Sequence, residues 1–477
     1  MSTSQLTSFE SPVYFVSLGC SKNLVDSEVM LGKLKQSQYN IVKDPSDAEV
    51  IIVNTCSFIQ AAKEESINTI LEMADYKVSG KCKALVVSGC LAQRYSKDIE
   101  KDMPEVDLMI GTGQYHRITE FLDERNESIR LGGKLPKRAY IDQPAFIHSE
   151  TDERTHTGPK YAGYLKLSEG CNRRCSFCII PDLRGNVRSR SVDSLVNEAL
   201  RMGDQGIREL NLVAQDLTHY GIENRYRENL KQLLPKLCEI ETIDWIRLHY
   251  VYPDQFTDEL LEIIATQPKI VKYLDMPIQH TNDRVLKLMN RSLKKERLFE
   301  LIGELRERVP EMVFRTSIIV GFPGETDAEF EELCDDLVKL NLDHVGVFRY
   351  SHEEGTKAST LSGQLPEAVK RKRSQKLIAL LQEQALQRQG KYLGRRVPVL
   401  VEGVSTESEL LLQGRMPAQA MGIDGNVLIN DIEGFSDVGA GDLVDVEITE
   451  TLPYNLVGRV VNVASKWKSA SGGRVHA

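Results

Sequence analysis

Apolar strand-like runs alternate with helical stretches along most of this chain, and no other feature restricts its fold as much. VYFVSLGC (Val13 to Cys20), AEVIIVNTC (Ala48 to Cys56) and KALVVSGC (Lys83 to Cys90) read as strands. The amphipathic stretch LVDSEVMLGKLKQ follows the first, and a helical stretch through Tyr76 follows the second. Strands this apolar need cover on both faces, which connecting helices supply in a parallel α/β sheet. The alternation stops from about Gly132 to Lys160, where a polar stretch with HSETDERTHTGPK reads as a linker. It resumes at Tyr161 with YLKLSEGC, ELNLVAQD, WIRLHYV, KYLDMPIQ, FRTSIIVGFPGE and HVGVFRYS. Six such units predict an open or closed βα barrel. A long polar helix, PEAVKRKRSQKLIALLQEQALQRQG, comes next. The last 85 or so residues are short β-branched runs with Gly and Asp turns, which predicts a small antiparallel β barrel. The expected class is therefore multidomain α/β. Its expected segments are 11–127, a linker over 128–156, 157–389, 391–462 and a disordered tail over 463–477.

With 477 residues the chain exceeds what one core usually absorbs, and 41 % hydrophobic with 27 % charged residues excludes a largely disordered chain. The net charge of −9 argues mildly against a dedicated nucleic-acid binder. No apolar run approaches the roughly 18 to 20 residues a membrane span requires. The start, MSTSQLTSFESP, lacks the cationic and apolar regions of a signal peptide. A cytoplasmic, reducing location is expected, so the nine cysteines read as metal ligands or catalytic groups and not as disulfides.

Cys171, Cys175 and Cys178 form CxxxCxxC directly after the first barrel strand. Thiolates suit zinc or iron-sulfur clusters. Structural zinc wants four closed ligands, and no fourth Cys or His lies nearby. Three ligands on a four-iron cube leave one iron open to a substrate or cofactor. Cys20, Cys56 and Cys90 each close one N-terminal strand. Ligands bind at the carboxyl ends of strands in such sheets, so three thiols distant in sequence are expected at one site. A second open cube fits them, and a three-cysteine zinc site with a water is the other reading. Cys82, Cys238 and Cys334 lack partners and read as inert thiols. His249 and His280 end presumed barrel strands, and either could face the barrel mouth.

The CxxxCxxC spacing resembles the radical S-adenosylmethionine (SAM) superfamily, with Phe177 matching its aromatic residue before the third cysteine. The resemblance implies that Cys171, Cys175 and Cys178 hold a [4Fe-4S] cluster whose open iron chelates SAM, and that reduction yields a 5′-deoxyadenosyl radical. Gly321 and Gly324 in SIIVGFPGET resemble the adenine-side glycine motif, and Gln215 and Asp216 occupy the strand end that meets the methionine amino group. Each of these also reads as an ordinary polar strand end. His280 is a further candidate at the cofactor. Over nearly its whole length the chain resembles the methylthiotransferases: an N-terminal three-cysteine domain, a radical SAM core and a terminal TRAM-like barrel. VSLGCSKNLVDSE, VNTCSFIQAAKEES and SEGCNRRCSFCIIPDLRG look like the RimO-type branch. That branch methylthiolates the β-carbon of an aspartate in protein twelve of the small ribosomal subunit. The resemblance implies a second cluster on Cys20, Cys56 and Cys90 that holds the sulfur, two roles for SAM, an external sulfide source, and a reductant such as a flavodoxin-type protein.

From Lys391 onward there are eleven acids and eight bases, a net of −3. A tRNA grip favours a basic barrel, and an acidic one better suits a basic ribosomal protein. A merely solvated acidic surface has the same composition. A MiaB-type tRNA adenosine methylthiotransferase and an iron-sulfur carrier or scaffold remain the alternatives, and the glycine motif argues against the carrier. No membrane association is expected.

Overall fold

The structure, a computed structural model, describes residues 11–130, 138–435 and 437–468. Among these no helix is long and apolar enough to cross a membrane. The N-terminal sheet is parallel throughout. Its strands are β1 (Pro12–Ser17), β2 (Asn40–Ile41), β3 (Val50–Thr55), β4 (Ala84–Gly89), β5 (Leu108–Ile110) and β6 (Ala139–Tyr140), in the order β2-β1-β3-β4-β5-β6. Every residue of β3 and β4 is buried, as two-sided helical cover requires. Helix α1 (Ser21–Gln36) packs Val29, Met30 and Leu34 onto one face of the sheet.

Two sequence expectations change here. α1 is not amphipathic with a wet polar face: Asp26 and Glu28 are 3 % and 0 % exposed, because they meet cations of the next domain. The stretch read as a linker supplies β6 to the sheet and buries His148. Arg154, in the same stretch, bonds Glu28 at 2.6 Å and Glu198 at 2.8 Å. Its polarity is spent on buried ion pairs and not on solvent, which composition alone does not distinguish.

Next come β7 (Ala162–Lys166), a short antiparallel pair β8 (Ser168–Glu169) and β9 (Arg188–Ser189), then β10 (Glu209–Val213), β11 (Trp245–Leu248), β12 (Ile270–Asp275), β13 (Val313–Val320) and β14 (His344–Arg349). Six of them form a parallel sheet in the order β14-β13-β12-β11-β10-β7. Its two edge strands do not pair, so the barrel is open. The β8–β9 pair clips together the two ends of the cysteine loop.

The C-terminal strands β15 (Arg396–Val404), β16 (Leu412–Arg415), β17 (Val427–Asp431), β18 (Leu443–Thr451) and β19 (Leu456–Ser465) close a barrel in the order β15-β16-β17-β19-β18. Four pairings are antiparallel, as expected, but β17 and β19 run parallel. This barrel sits under the central sheet, at the amino ends of its strands. Tyr161, Trp245, Val271 and Val313 pack there with Leu400 and Ala420. Between them Arg415 bonds Glu209 at 2.6 Å and Glu402 at 2.6 Å, and Arg247 bonds Glu209 at 2.9 Å. Burial works against the Glu209 carboxylate, but Arg415 and Arg247 overcome it and hold its pKa at about 2. The ordered chain continues past 462: Trp467 donates its indole N–H to the Gly206 carbonyl at 2.8 Å. The rest of the expected tail, 469–477, lies outside the described residues.

Candidate functional site: two cysteine triads at one interdomain gap

Cys20, Cys56 and Cys90 follow the carboxyl ends of β1, β3 and β4, as the sequence predicts. Cys20 is the N-cap of α1, and Cys90 opens the helix Cys90–Asp102. Helix N-termini favour a thiolate. The glycine before each of these two is required. Gly19 has φ +88°, and a Cβ there would lie 2.7 Å from Cys56 Cβ. Gly89 has φ +90°, and a Cβ would lie 2.6 Å from the Thr55 carbonyl. Both glycines let a loop turn sharply so that the thiols approach one another.

Cys171, Cys175 and Cys178 lie on the loop after β8. The Cys171 N–H donates to the Gly185 carbonyl at 3.0 Å, and the Ser176 N–H donates to Met289 at 2.9 Å, which fixes the loop from two sides. Arg291 approaches Cys175 Sγ at 3.7 Å. The guanidinium of Arg291 stands 4.2 Å from the Tyr252 ring centre and that of Arg173 stands 3.7 Å from it. Arg173 also grips Asp254 with two bonds of 2.8 Å.

The segment that follows the second triad touches the first. Directly after Cys178, Ile179 and Leu183 pack on Cys90. Arg184, at the end of the same short helix (Ile180–Arg184), brings Nη2 to 3.8 Å from Cys90 Sγ. Its Nη1 bonds Asp26 at 2.9 Å and Glu169 at 2.9 Å. Lys166 joins the same two acids at 2.5 and 2.8 Å. Lys22 completes the seam, its ammonium 3.3 Å from the centre of the Tyr250 ring.

Among the described residues no three Cys, His, Asp or Glu side chains are already gathered for a metal, but the donor type, thiolate, suits iron-sulfur clusters. Burial pushes the Cys90 thiol up to about 12 and the Cys171 thiol up to about 11, and burial likewise raises Cys178. Such thiols ionise against a bound metal. Cys20 is solvent-exposed, and Lys22 and Arg184 beside it bring its pKa below the ordinary value. Cations stand beside both triads, Arg184 at Cys90 and Arg291 at Cys175, which favours the thiolate form.

The other candidates are placed as follows. The amide N–H of Gln215 donates to Glu169, while its Oε1 is buried without a partner. Asp216 accepts from Arg173 at 2.9 Å and from the Thr218 N–H at 3.0 Å. Gly321 has φ +74°, and a Cβ there would meet Lys370 Cγ at 2.5 Å, so the close approach at this glycine is made by this chain's own helix Glu367–Gln389. Gly324 has φ +79° and faces nearly open space. His280 is wholly buried: its Nδ1 accepts from the Asn282 N–H at 3.0 Å, and burial lowers its pKa to about 4. His249 is buried too, 3.0 Å from Asn211 Oδ1. Cys82 and Cys334 are buried and Cys238 packs against the core.

Sequence reasoning did not single out Lys22, Asp26, Glu169, Arg184 or Tyr250. One signal was present: charged residues at positions of α1 and of the strand-like YLKLSEGC run that the fold must bury.

A thiol-bearing loop over the mouth of an open parallel barrel, with a second thiol site on an added α/β domain, defines a radical SAM protein with an auxiliary domain. Residues 165–337 match the radical SAM superfamily, 12–111 match the uncharacterized protein family UPF0004, and 393–461 match the TRAM domain. Among solved structures, the radical SAM methyltransferase TsrM from Kitasatospora setae superposes with a TM-score of 0.53 at 14 % identity, over 73 % of this chain and 74 % of that one; this likeness concerns the fold. Ribosomal protein uS12 methylthiotransferase RimO of Anaeromyxobacter sp. is 47 % identical over 94 % of this chain and 93 % of its own. The RimO protein of Syntrophotalea carbinolica is 47 % identical over 94 % and 97 %, and that of Geobacter sulfurreducens 44 % over 96 % and 100 %. The chain belongs to the RimO family and is a radical SAM methylthiotransferase.

Proposed function

We propose that this chain adds a methylthio group to the β-carbon of an aspartate in ribosomal protein uS12. What supports the reading is the contact between the two cysteine regions: Ile179 and Leu183, directly after Cys178, pack on Cys90, and Arg184 reaches its thiol at 3.8 Å. In this reading Cys171, Cys175 and Cys178 hold the SAM cluster, and Cys20, Cys56 and Cys90 hold the auxiliary cluster. When bound, these [4Fe-4S] groups with SAM supply reductive radical generation and the sulfur to be transferred; no side-chain base breaks an unactivated C–H bond at a useful rate. The chain's own residues do the rest. Arg184 ties the segment after Cys178 to Cys90 and sets the spacing of the two triads. Gln215 and Asp216 line the amino-acid side of SAM, and the backbone of Gly321 to Gly324 lines its adenine side. His280 supports that turn from behind, where Glu325 accepts from the Gly321 N–H at 2.9 Å. The reductant is a flavodoxin-type protein, sulfide comes from outside, and the compartment is the cytoplasm.

The test offers anaerobically reconstituted protein uS12 and tRNA in parallel, with SAM, sulfide and a reductant. The expected outcome is a methylthio mass gain on uS12, mapped to an aspartate, and none on tRNA. A gain on tRNA alone would transfer the assignment to the adenosine-modifying reaction.

A further inference from the structure

We propose that Lys22 binds the side-chain carboxylate of the target aspartate. The proposal rests on the reading above that the substrate is an aspartate of a protein.

Lys22 is 7 % exposed, and a lysine so buried is ordinarily paired with an acid. The groups that bear on it are Tyr250, Cys20 and Arg184, none of them a carboxylate. The acids of the gap are committed elsewhere. Asp26, one turn along α1, lies between Lys166 and Arg184, and so does Glu169. Asp275 pairs with Arg315 at 2.9 Å. Lys22 thus has the Tyr250 ring and the Cys20 thiol beside it and, among the described residues, no carboxylate partner.

Its position is the second observation. Lys22 lies two residues after Cys20, in the first turn of α1, on the auxiliary-cluster side. Tyr250 stands just past the carboxyl end of β11, on the barrel rim. The ammonium thus sits between the two domains that carry the two triads.

Tyr250 is the third. Its φ is +58°, the left-handed region that a non-glycine residue adopts only under strain. The surrounding structure holds it there: its carbonyl accepts from the Leu217 N–H at 3.0 Å, and its N–H points to Asp275 Oδ2 at 3.4 Å. The ring covers one side of the ammonium. An ammonium has three donors, so others remain for carboxylate oxygens. The β-carbon of an aspartate is bonded to its carboxylate carbon, so a cation that fixes the carboxylate fixes the reacting carbon one bond away. That is the positioning a near-contact radical transfer needs.

The experiment compares wild type, Lys22→Met and Lys22→Arg, each matched for iron content, on uS12 and on uS12 with asparagine at the target position. Wild type should prefer aspartate roughly 10- to 100-fold in kcat/KM, the range for a charged partner lost from a buried site. Lys22→Met should lose that preference, and Lys22→Arg should keep it at a lower kcat. If Lys22→Met does not hold iron, wild type and Lys22→Arg are compared alone, and equal use of both substrates by the two proteins overturns the proposal. Active wild type with an unchanged preference in Lys22→Met overturns it as well. So does weaker SAM binding in Lys22→Met with the preference intact, since the carboxylate held would then be that of SAM. Wild type that leaves uS12 unmodified overturns the parent reading instead.

Discussion

The central sheet meets a partner domain at each end of its strands, and the two contacts are built differently. At the carboxyl ends, Asp26, Lys166, Glu169 and Arg184 form a buried lattice beside the thiols. Polar capacity is left over there: Lys22 has no acid, Gln215 Oε1 has no partner, and Tyr250 holds a left-handed backbone. At the amino ends, Glu209, Arg247 and Arg415 are all 0 % exposed inside an apolar ring. The carboxyl-end contact combines strain with an ammonium that lacks a carboxylate; the amino-end contact is a fully buried support, although Arg247 Nη2 lacks a partner there. Strands of five or six residues span about 15–20 Å, so the terminal barrel forms a floor far from the thiols. The difference can be broken or sharpened by experiment.

The largest effect is expected from removing the floor. A chain ending near Gln389 uncovers Tyr161, Trp245 and Val313 and strands Glu209 beside Arg247. It should aggregate or lose its fold on size exclusion. Next, Glu209→Ala leaves the buried Arg247 without an acid and Arg415 with Glu402 alone, and should cost about 3–5 kcal/mol in denaturant unfolding. Asp26→Ala should cost less, because Glu169 still serves both Lys166 and Arg184. Its mark should be a change in the spectrum of the auxiliary cluster, which Glu209→Ala leaves unchanged in any protein that remains folded.

A pH effect comes third. His148, in the stretch between the first two domains, is 1 % exposed, and burial lowers its pKa to about 4 from an ordinary 6.5. The unfolded chain then takes up the proton first as pH falls. Stability from this group is full above about pH 6.5 and is lost progressively down to about pH 4, at most about 3 kcal/mol. Unfolding of His148→Gln should depend less on pH in that window. The smallest effect belongs to the outer barrel surface. The Arg459–Glu447 pair, with Arg459 53 % exposed, should change stability by less than about 1 kcal/mol on Arg459→Ala. Asp442 is different despite its place among the barrel's acids: it is 5 % exposed and accepts from the Trp467 N–H at 2.7 Å, so its reversal tests folding and not substrate steering.

Much of this was legible in the sequence because strands buried on both faces are apolar almost throughout, and because thiols at strand ends are scarce. β1, β3, β4 and the six central strands were visible for that reason, and so were all six cysteines. β2, β5 and β6 were not, since two or three residues carry no periodicity. The domain seam was hidden for another reason. Asp26, Glu28, His148 and Arg154 look like solvated residues until a partner surface covers them. The surroundings of His280 and Gly321 were not legible because a strand-end position does not say which of the chain's own side chains pack there. In the fold their neighbours are Glu325 and Lys370.

The central claim, that the two triads face one gap, is tested most directly by electron paramagnetic resonance of the reduced protein. Cys20→Ala/Cys56→Ala/Cys90→Ala and Cys171→Ala/Cys175→Ala/Cys178→Ala each isolate one cluster. The account predicts that the spectrum of the wild type, with both clusters reduced, differs from the sum of these two, with broadened lines and faster relaxation from spin–spin coupling. A wild-type spectrum equal to that sum, with unchanged relaxation, would place the triads apart and contradict it.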